Sequence, residues 1–309
     1  MGRGRVGRFN TVGLIAGSII TLLPLMAQDP TIFRSDVRLV RLLATVKDPN
    51  GDLVGSLKKG SFQVFDNGVE QKVSLFEQTT DQPLSVAILI DTSGSTGKDL
   101  KYETDSVVRF AKALFRDGNP DDRAAVYTFN WEVVLRRAYT RDLDSIERKI
   151  RGLKGEGGTS MYDAVHLAAD ELGDHQGRHV MIIVTDGGDT TSSRTFHQAL
   201  ESAQRADAII YPILVMPITN DAGRNIGGEN ALTTMAAGTG GRVFAPSVGA
   251  QLDQAFADIL RDLRTQYLIG YYPSKVPPTK NRFHQIRLTV DRPGLRVYTR
   301  NGYYGDSTP

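Results

Sequence analysis

Cysteine is missing from all 309 residues. That excludes a disulfide-stapled scaffold, a thiolate metal site and a lipid-modified N-terminal cysteine. A chain of this length buries enough core to stand without bridges. Histidine is scarce, with five scattered copies. His175 and His179 are separated by Gln176-Gly177-Arg178, which reads as loop, so both are expected at the surface rather than on one helical face; His166 reads as helix packing. Beyond residue 27 no apolar run reaches the roughly 18 residues that a membrane helix needs. Nor does one sign of charge dominate, with 37 Lys and Arg against 35 Asp and Glu and a formal net charge of +2.

Three of the arginines, Arg3, Arg5 and Arg8, precede a mostly apolar stretch from Thr11 to Ala27. A basic start, an apolar centre and Leu25-Met26-Ala27 before Gln28 predict a secretory signal peptide at 1–27, cleaved after Ala27. The expectation is a secreted or periplasmic protein with no transmembrane segment after cleavage. Leu25 is larger than the usual small residue at that position, so an uncleaved N-terminal membrane anchor is the alternative. Without those arginines the formal charge falls from +2 to −1, which argues against a nucleic-acid partner.

What is present centres on Leu84 to Gly97, LSVAILIDTSGSTG. The apolar run ending at Asp91 has the composition of a strand buried on both faces of a sheet. A helical stripe follows at Leu100, Thr104, Val107, Val108, Ala111, Leu114 and Phe115. Asp91, Ser93 and Ser95 therefore lie on a strand-to-helix loop, where open α/β sheets place their ligand sites. One carboxylate and two hydroxyls at alternate positions are hard oxygen donors of the kind magnesium prefers. Further on, Gly155 to Ser160 (GEGGTS) brings Thr159 to the start of another helix, and Val180 to Asp186 (VMIIVTD) is a second buried strand ending in aspartate.

This constellation resembles the metal-ion-dependent adhesion site of the von Willebrand factor type A domain: D-x-S-x-S, then a threonine, then an aspartate. The matching positions are Asp91, Ser93, Ser95, Thr159 and Asp186. Alternating strands and helices from 84 to 265 extend the likeness to the whole α/β region. The resemblance implies a doubly wound, mostly parallel six-stranded sheet and an Mg²⁺ ion, with Mn²⁺ or Ca²⁺ as substitutes, held by those five residues. It also implies a protein partner that offers an Asp or Glu side chain to the ion.

The flanks 31–80 and 266–309 read as β. Asn67-Gly68 marks a hairpin between Phe62–Asp66 and Val69–Phe76. In the C-terminal flank the expected strands are 266–272, 284–290 and 295–300. Neither flank is large enough for its own core, but together they supply about six strands. The expectation is a small β-sandwich into which the α/β domain is inserted. The QYLIGYYP and GYYG stretches resemble those of secreted bacterial von Willebrand factor A-related proteins.

Rival readings of the same residues fail on spacing. The aspartic-protease loop needs glycine where Ser93 stands, and a second matching loop. A haloacid-dehalogenase-like site needs a second aspartate at Ser93. A P-loop needs glycine where Thr92 stands. No histidine or lysine lies within the three loops to act as a base, so no catalytic residue is assigned. Asp189 and Glu156 read as solvated loop residues, and Arg136, Arg137, Arg261 and Arg264 as solvated faces. Trp131, Tyr271, Tyr272, Tyr303 and Tyr304 are expected in the core or at sheet edges. The function expected is metal-dependent protein capture outside the cytoplasm. A metal-dependent hydrolase and an envelope component with a purely structural ion are the alternatives.

Overall fold

The computed structural model describes residues 39–78, 81–215, 226–246, 249–277, 279 and 281–305; the expected signal peptide lies outside them. In chain order, β1 (Val40–Lys47), β2 (Phe62–Asp66), β3 (Val69–Gln71) and β4 (Val73–Glu77) precede β5 (Leu84–Asp91) and α1 (Leu100–Asp117). β6 (Arg123–Phe129), β7 (Val133–Thr140), α2 (Leu143–Ile150) and α3 (Met161–Gly173) follow. Then come β8 (Arg178–Thr185), α4 (Phe196–Arg205), β9 (Ile209–Leu214), α5 (Ile226–Thr239) and α6 (Ala250–Arg264). The chain closes with β10 (Tyr267–Tyr271), β11 (Phe283–Val290), β12 (Arg296–Tyr298) and β13 (Gly302–Tyr304).

Every residue of β5 is buried, because its unbroken apolar run feeds a core on each side of the sheet. Val86, Ile88 and Ile90 pack with α1, α2 and α6, whereas Ala87 and Leu89 pack with α3, α4 and α5. The sheet order is β7-β6-β5-β8-β9, parallel except for β7, which pairs antiparallel with β6. From β5 the chain leaves to α1 on one face, and from its neighbour β8 it leaves to α4 on the other. The crevice between the ends of those two strands is a topological switch point.

Five strands form this sheet, not the six expected. At the sixth position only an isolated parallel bridge forms, Ile213 with Phe244. Pro246 stands two residues later, and proline cannot donate to a ladder. Helix α5, which the apolar pattern did not predict, packs beside this edge through Leu232, Met235 and Ala236.

The flanking strands form two four-stranded sheets, β12-β1-β10-β4 and β13-β11-β2-β3. Each sheet mixes strands from both ends of the chain, and one core of Leu42, Ala44, Phe62, Val64, Tyr267, Ile269, Ile286 and Leu288 lies between them. The sandwich has eight strands rather than about six. Asn67 and Gly68 take φ of 47° and 82°, the left-handed pair that a two-residue hairpin turn requires. Beyond that turn, Val69–Phe76 is not one strand. It is interrupted at Lys72, with β3 completing one sheet and β4 crossing to the other, as strands do at sandwich corners.

A polar cluster ties the two flanks. The fully buried Asp66 carboxylate accepts hydrogen bonds from the hydroxyls of Tyr271 and Tyr303, both at 2.9 Å, and faces His284 Nδ1 at 2.9 Å. A second link joins sandwich to α/β unit: Lys47 on β1 meets Asp262 on α6 at 2.9 Å, and Arg242 meets the same carboxylate at 2.8 Å. Among the described residues no helix is long and apolar enough to cross a membrane.

Candidate metal centre

Three loops meet over the switch point, and backbone hydrogen bonds stitch them together. Gly94 N–H donates to Gly157 O at 3.2 Å, and Glu156 N–H donates to Thr92 O at 2.9 Å. Thr159 is held from the third loop: its N–H donates to Thr190 Oγ1 at 2.8 Å, and its carbonyl accepts from Thr190 N–H at 2.8 Å. The fit is close enough to demand glycine at one position. A Cβ on Gly155 would stand 2.7 Å from both Gly97 Cα and Ser93 O.

Asp91 ends β5 with no solvent exposure. Its Oδ1 accepts from Ser93 N–H at 2.8 Å and its Oδ2 from Thr185 Oγ1 at 2.6 Å, which fixes the carboxylate and leaves lone pairs on both oxygens. Burial pushes its pKa up to about 6 against the pull of those bonds, and Asp186 adds to the rise. Ser93 and Ser95 present hydroxyls 3.1 Å apart. Asp186, half-buried, directly follows Thr185 at the end of β8. Among the described residues its carboxylate has no hydrogen-bond or ion-pair partner, and the buried Thr159 hydroxyl likewise engages no other side chain.

All five expected residues thus come to the same end of the sheet, on loops that touch. Among the described residues no three acidic, histidine or cysteine side chains cluster as a ready-made metal cage. The set is instead two carboxylates and three hydroxyls, all hard oxygen donors, several of them unengaged. A small divalent cation fits such a set.

Residues 86–188 match the family model of the von Willebrand factor type A domain. The matched stretch has an α/β fold like that of a von Willebrand factor type A domain. No curated protein matches the sequence. Among solved structures, the chain is similar to the PilB minor pilin from Streptococcus sanguinis, with 14% identity over 60% of this chain and 62% of that one and a TM-score of 0.47. It is also similar to the von Willebrand factor domain of the type V pili tip protein Mfa5 from Porphyromonas gingivalis, with 17% identity, coverage of 58% and 94%, and a TM-score of 0.48. For the conserved hypothetical protein BatB from Bacteroides thetaiotaomicron the figures are 18%, 58% and 98%, and 0.47. The likeness to the pilin spans 62% of that chain's length.

Around the three loops, several residues sit differently from their sequence reading. Trp131 is not packed away: it is 64% exposed on the turn between β6 and β7, and its ring lies against Gly157. Asp189 is more than a solvated acid. It accepts from Tyr162 N–H at 3.1 Å and from the Ser192 hydroxyl, holding the third loop to the start of α3. Glu156 is exposed, as expected. His179 is only half exposed, its ring nitrogens facing the carbonyls of Ala206 and His175. Tyr271 and Tyr303 serve the buried Asp66, while Tyr272 is half exposed.

One acid near the site went unnoticed. Glu103 lies in the first turn of α1 and is 1% exposed. Its position three after Leu100 and four before Val107 puts it on the buried stripe, and that spacing was the signal available in the sequence. Burial pushes its pKa up to about 8, and the charges of Asp91, Asp186 and Asp99 add to the rise.

Proposed function

We propose that the type A domain holds a divalent cation, Mg²⁺ first among them, and uses it to capture an acidic side chain of a protein partner outside the cytoplasm. The observation that carries this reading is the convergence of Asp91, Ser93, Ser95, Thr159 and Asp186, with Asp186 and the Thr159 hydroxyl left unengaged. Hydroxyls bring no charge, so a cation among these five would keep appetite for an anionic oxygen. The exposed Trp131 beside the Thr159 loop supports the same reading, since tryptophan is enriched where protein interfaces concentrate their binding energy.

The test begins with the ion. Wild-type protein should bind Mg²⁺ or Mn²⁺ by calorimetry, and Asp91→Ala and Asp186→Ala should each abolish it. Their fold should persist by circular dichroism, because the apolar runs Val86–Ile90 and Val180–Val184 supply the core. Partner retention from an envelope extract should then require Mg²⁺ and be lost in chelator and in both variants. Retention that ignores the ion would refute the capture reading. Mg²⁺-dependent turnover of phosphate or peptide substrates would favour a hydrolase instead. The export half of the proposal predicts Gln28 as the mature N-terminus by mass spectrometry.

A further inference from the structure

A cavity of about 640 Å³ lies at the opposite end of the parallel sheet from the metal centre. Pro83, Arg178 and Ile209, at the starts of β5, β8 and β9, form one side of it, and β1 and β10 of the sandwich form the other. Arg41 and Leu43 stand two apart on β1, on the face turned away from the sandwich core that takes Leu42 and Ala44. Leu268 on β10 pairs directly with Leu43. Clefts of roughly 300–1,000 Å³ at the junction of two structural units are where proteins commonly seat small ligands.

The charge lining this cavity is one-sided. Arg41, Arg178, Arg205 and Arg300 border it, and Asp207 is the one acid that does. Arg300 is matched by Asp207 and Arg205 by Glu201. Arg178 and Arg41 are not matched. Arg178 is 6% exposed, and its Nε and Nη1 donate to the carbonyls of Gln82 and Leu263 and to the Gln266 amide oxygen, all neutral acceptors. Burial pulls its pKa down to about 10, while Asp122 and Asp81 act on it only through space. Among the described residues its Nη2 has no hydrogen-bond partner, and the exposed Arg41 guanidinium has none either. Buried charges are ordinarily paired, so a guanidinium set beside a void calls for an anion in the void. The helix ends that reach the cavity would disfavour one, but their last carbonyls are spent: Ala206 O faces His179, and Gly238 O accepts from Gln204.

We propose that this cavity binds a small organic anion, a carboxylate or phosphate on a compact carbon skeleton, gripped by Arg178 from the α/β unit and Arg41 from the sandwich. The planar fork of arginine matches carboxylate and phosphate oxygens two at a time. Leu43, Pro83, Ile209 and Leu268 line the same space and suit the carbon skeleton, which a bare inorganic ion would leave without contact. A structural role at the junction accounts for Arg205 and Arg300, whose charges are satisfied within the protein, but not for the unspent donors of Arg178 and Arg41. No residue of the metal centre borders the cavity, so the proposal does not rest on the capture reading. A ligand held from both sides would stabilise the junction between sandwich and α/β unit by mass action.

The experiment uses the full chain in metal-free buffer at constant ionic strength, with calorimetry and thermal melting as readouts. Citrate offers carboxylates alone, glycerol 3-phosphate offers a phosphate on a short carbon skeleton, and chloride is the control. The expected result is saturable binding of at least one of the two, with a melting point that rises with its concentration. Which of them binds assigns the site to carboxylates or to phosphates. Arg41→Ala, at an exposed position that the fold does not need, should weaken that binding about ten- to a hundredfold, the range for a lost hydrogen bond to a charged group. Arg178→Lys keeps the charge but not the fork, and should weaken it too. Lys149→Ala removes an exposed cation from α2, remote from the cavity, and should bind like wild type. Binding of neither ligand, or a melting rise that chloride reproduces, would overturn the proposal. So would Arg41→Ala within twofold of wild type, or an equal loss in Lys149→Ala, which would reduce the effect to general charge attraction.

Discussion

Thr159 is fixed by its backbone, which leaves its hydroxyl free of structural duty. Thr159→Ala should therefore leave melting in chelator unchanged while weakening Mg²⁺-dependent partner binding. One hydroxyl contact of on the order of 1–2 kcal/mol corresponds to about five- to thirtyfold in affinity. Partner binding equal to wild type would remove Thr159 from the site. Trp131 offers a second readout at this scale, since the chain has a single tryptophan and its ring rests on Gly157. Adding Mg²⁺ should shift or quench its fluorescence in the wild type and do nothing in Asp91→Ala. A silent tryptophan would mean that the Gly157 loop does not respond to the ion. The five donors were legible as residue types at known spacing. Glu103 was visible only as an acid on an apolar stripe, and that its Oε2 is buried without a hydrogen-bond partner is a property of the packed helix.

Secondary elements were readable in proportion to how much of their burial is written locally. β5 and β8 are continuous branched-apolar runs, and α1 and α6 carry wide apolar stripes, so all four stood out. α5 did not, because three of its buried positions are Gly228, Gly238 and Thr239, which carry no apolar signal, and further glycine and threonine dilute the pattern. β13 is three residues long and exists by pairing with β11, a partner no local window contains. The crossing from β3 to β4 was hidden too, because an alternating run looks the same whether it stays in one sheet or changes sheets at Lys72. The loops themselves are coupled through glycines. Gly155→Ala would force its new methyl into Gly97 and the Ser93 carbonyl, pushing apart the loops that carry Ser93, Ser95 and Thr159. The expected outcome is Mg²⁺ affinity lowered by tenfold or about that, with α/β secondary structure intact by circular dichroism. Unchanged affinity would show that the loops have room to yield.

At the scale of the molecule, the sandwich depends on both ends of the chain. Asp66 comes from the N-terminal flank, and the three side chains that satisfy it come from the C-terminal one. Asp66→Ala strands the buried Tyr271 hydroxyl and takes the acceptor from the half-buried Tyr303 hydroxyl and His284 imidazole. The expected cost is roughly 3–5 kcal/mol, read as a lower urea midpoint. A loss under 1 kcal/mol would mean that water replaces the carboxylate at all three partners. The same arrangement has a consequence in time. Asp66 and Tyr303 are 237 residues apart in sequence. At about 5–20 residues per second, synthesis of the intervening chain takes on the order of ten to fifty seconds. For most of that interval β1 to β4 exist without β10, β11 and β12, their edges open and their apolar faces wet. The α/β unit can fold as soon as it is complete, whereas the sandwich must wait for β10 to β13. This protein is therefore most exposed to aggregation and to chaperone capture at its first strands, until β10 to β13 have been made.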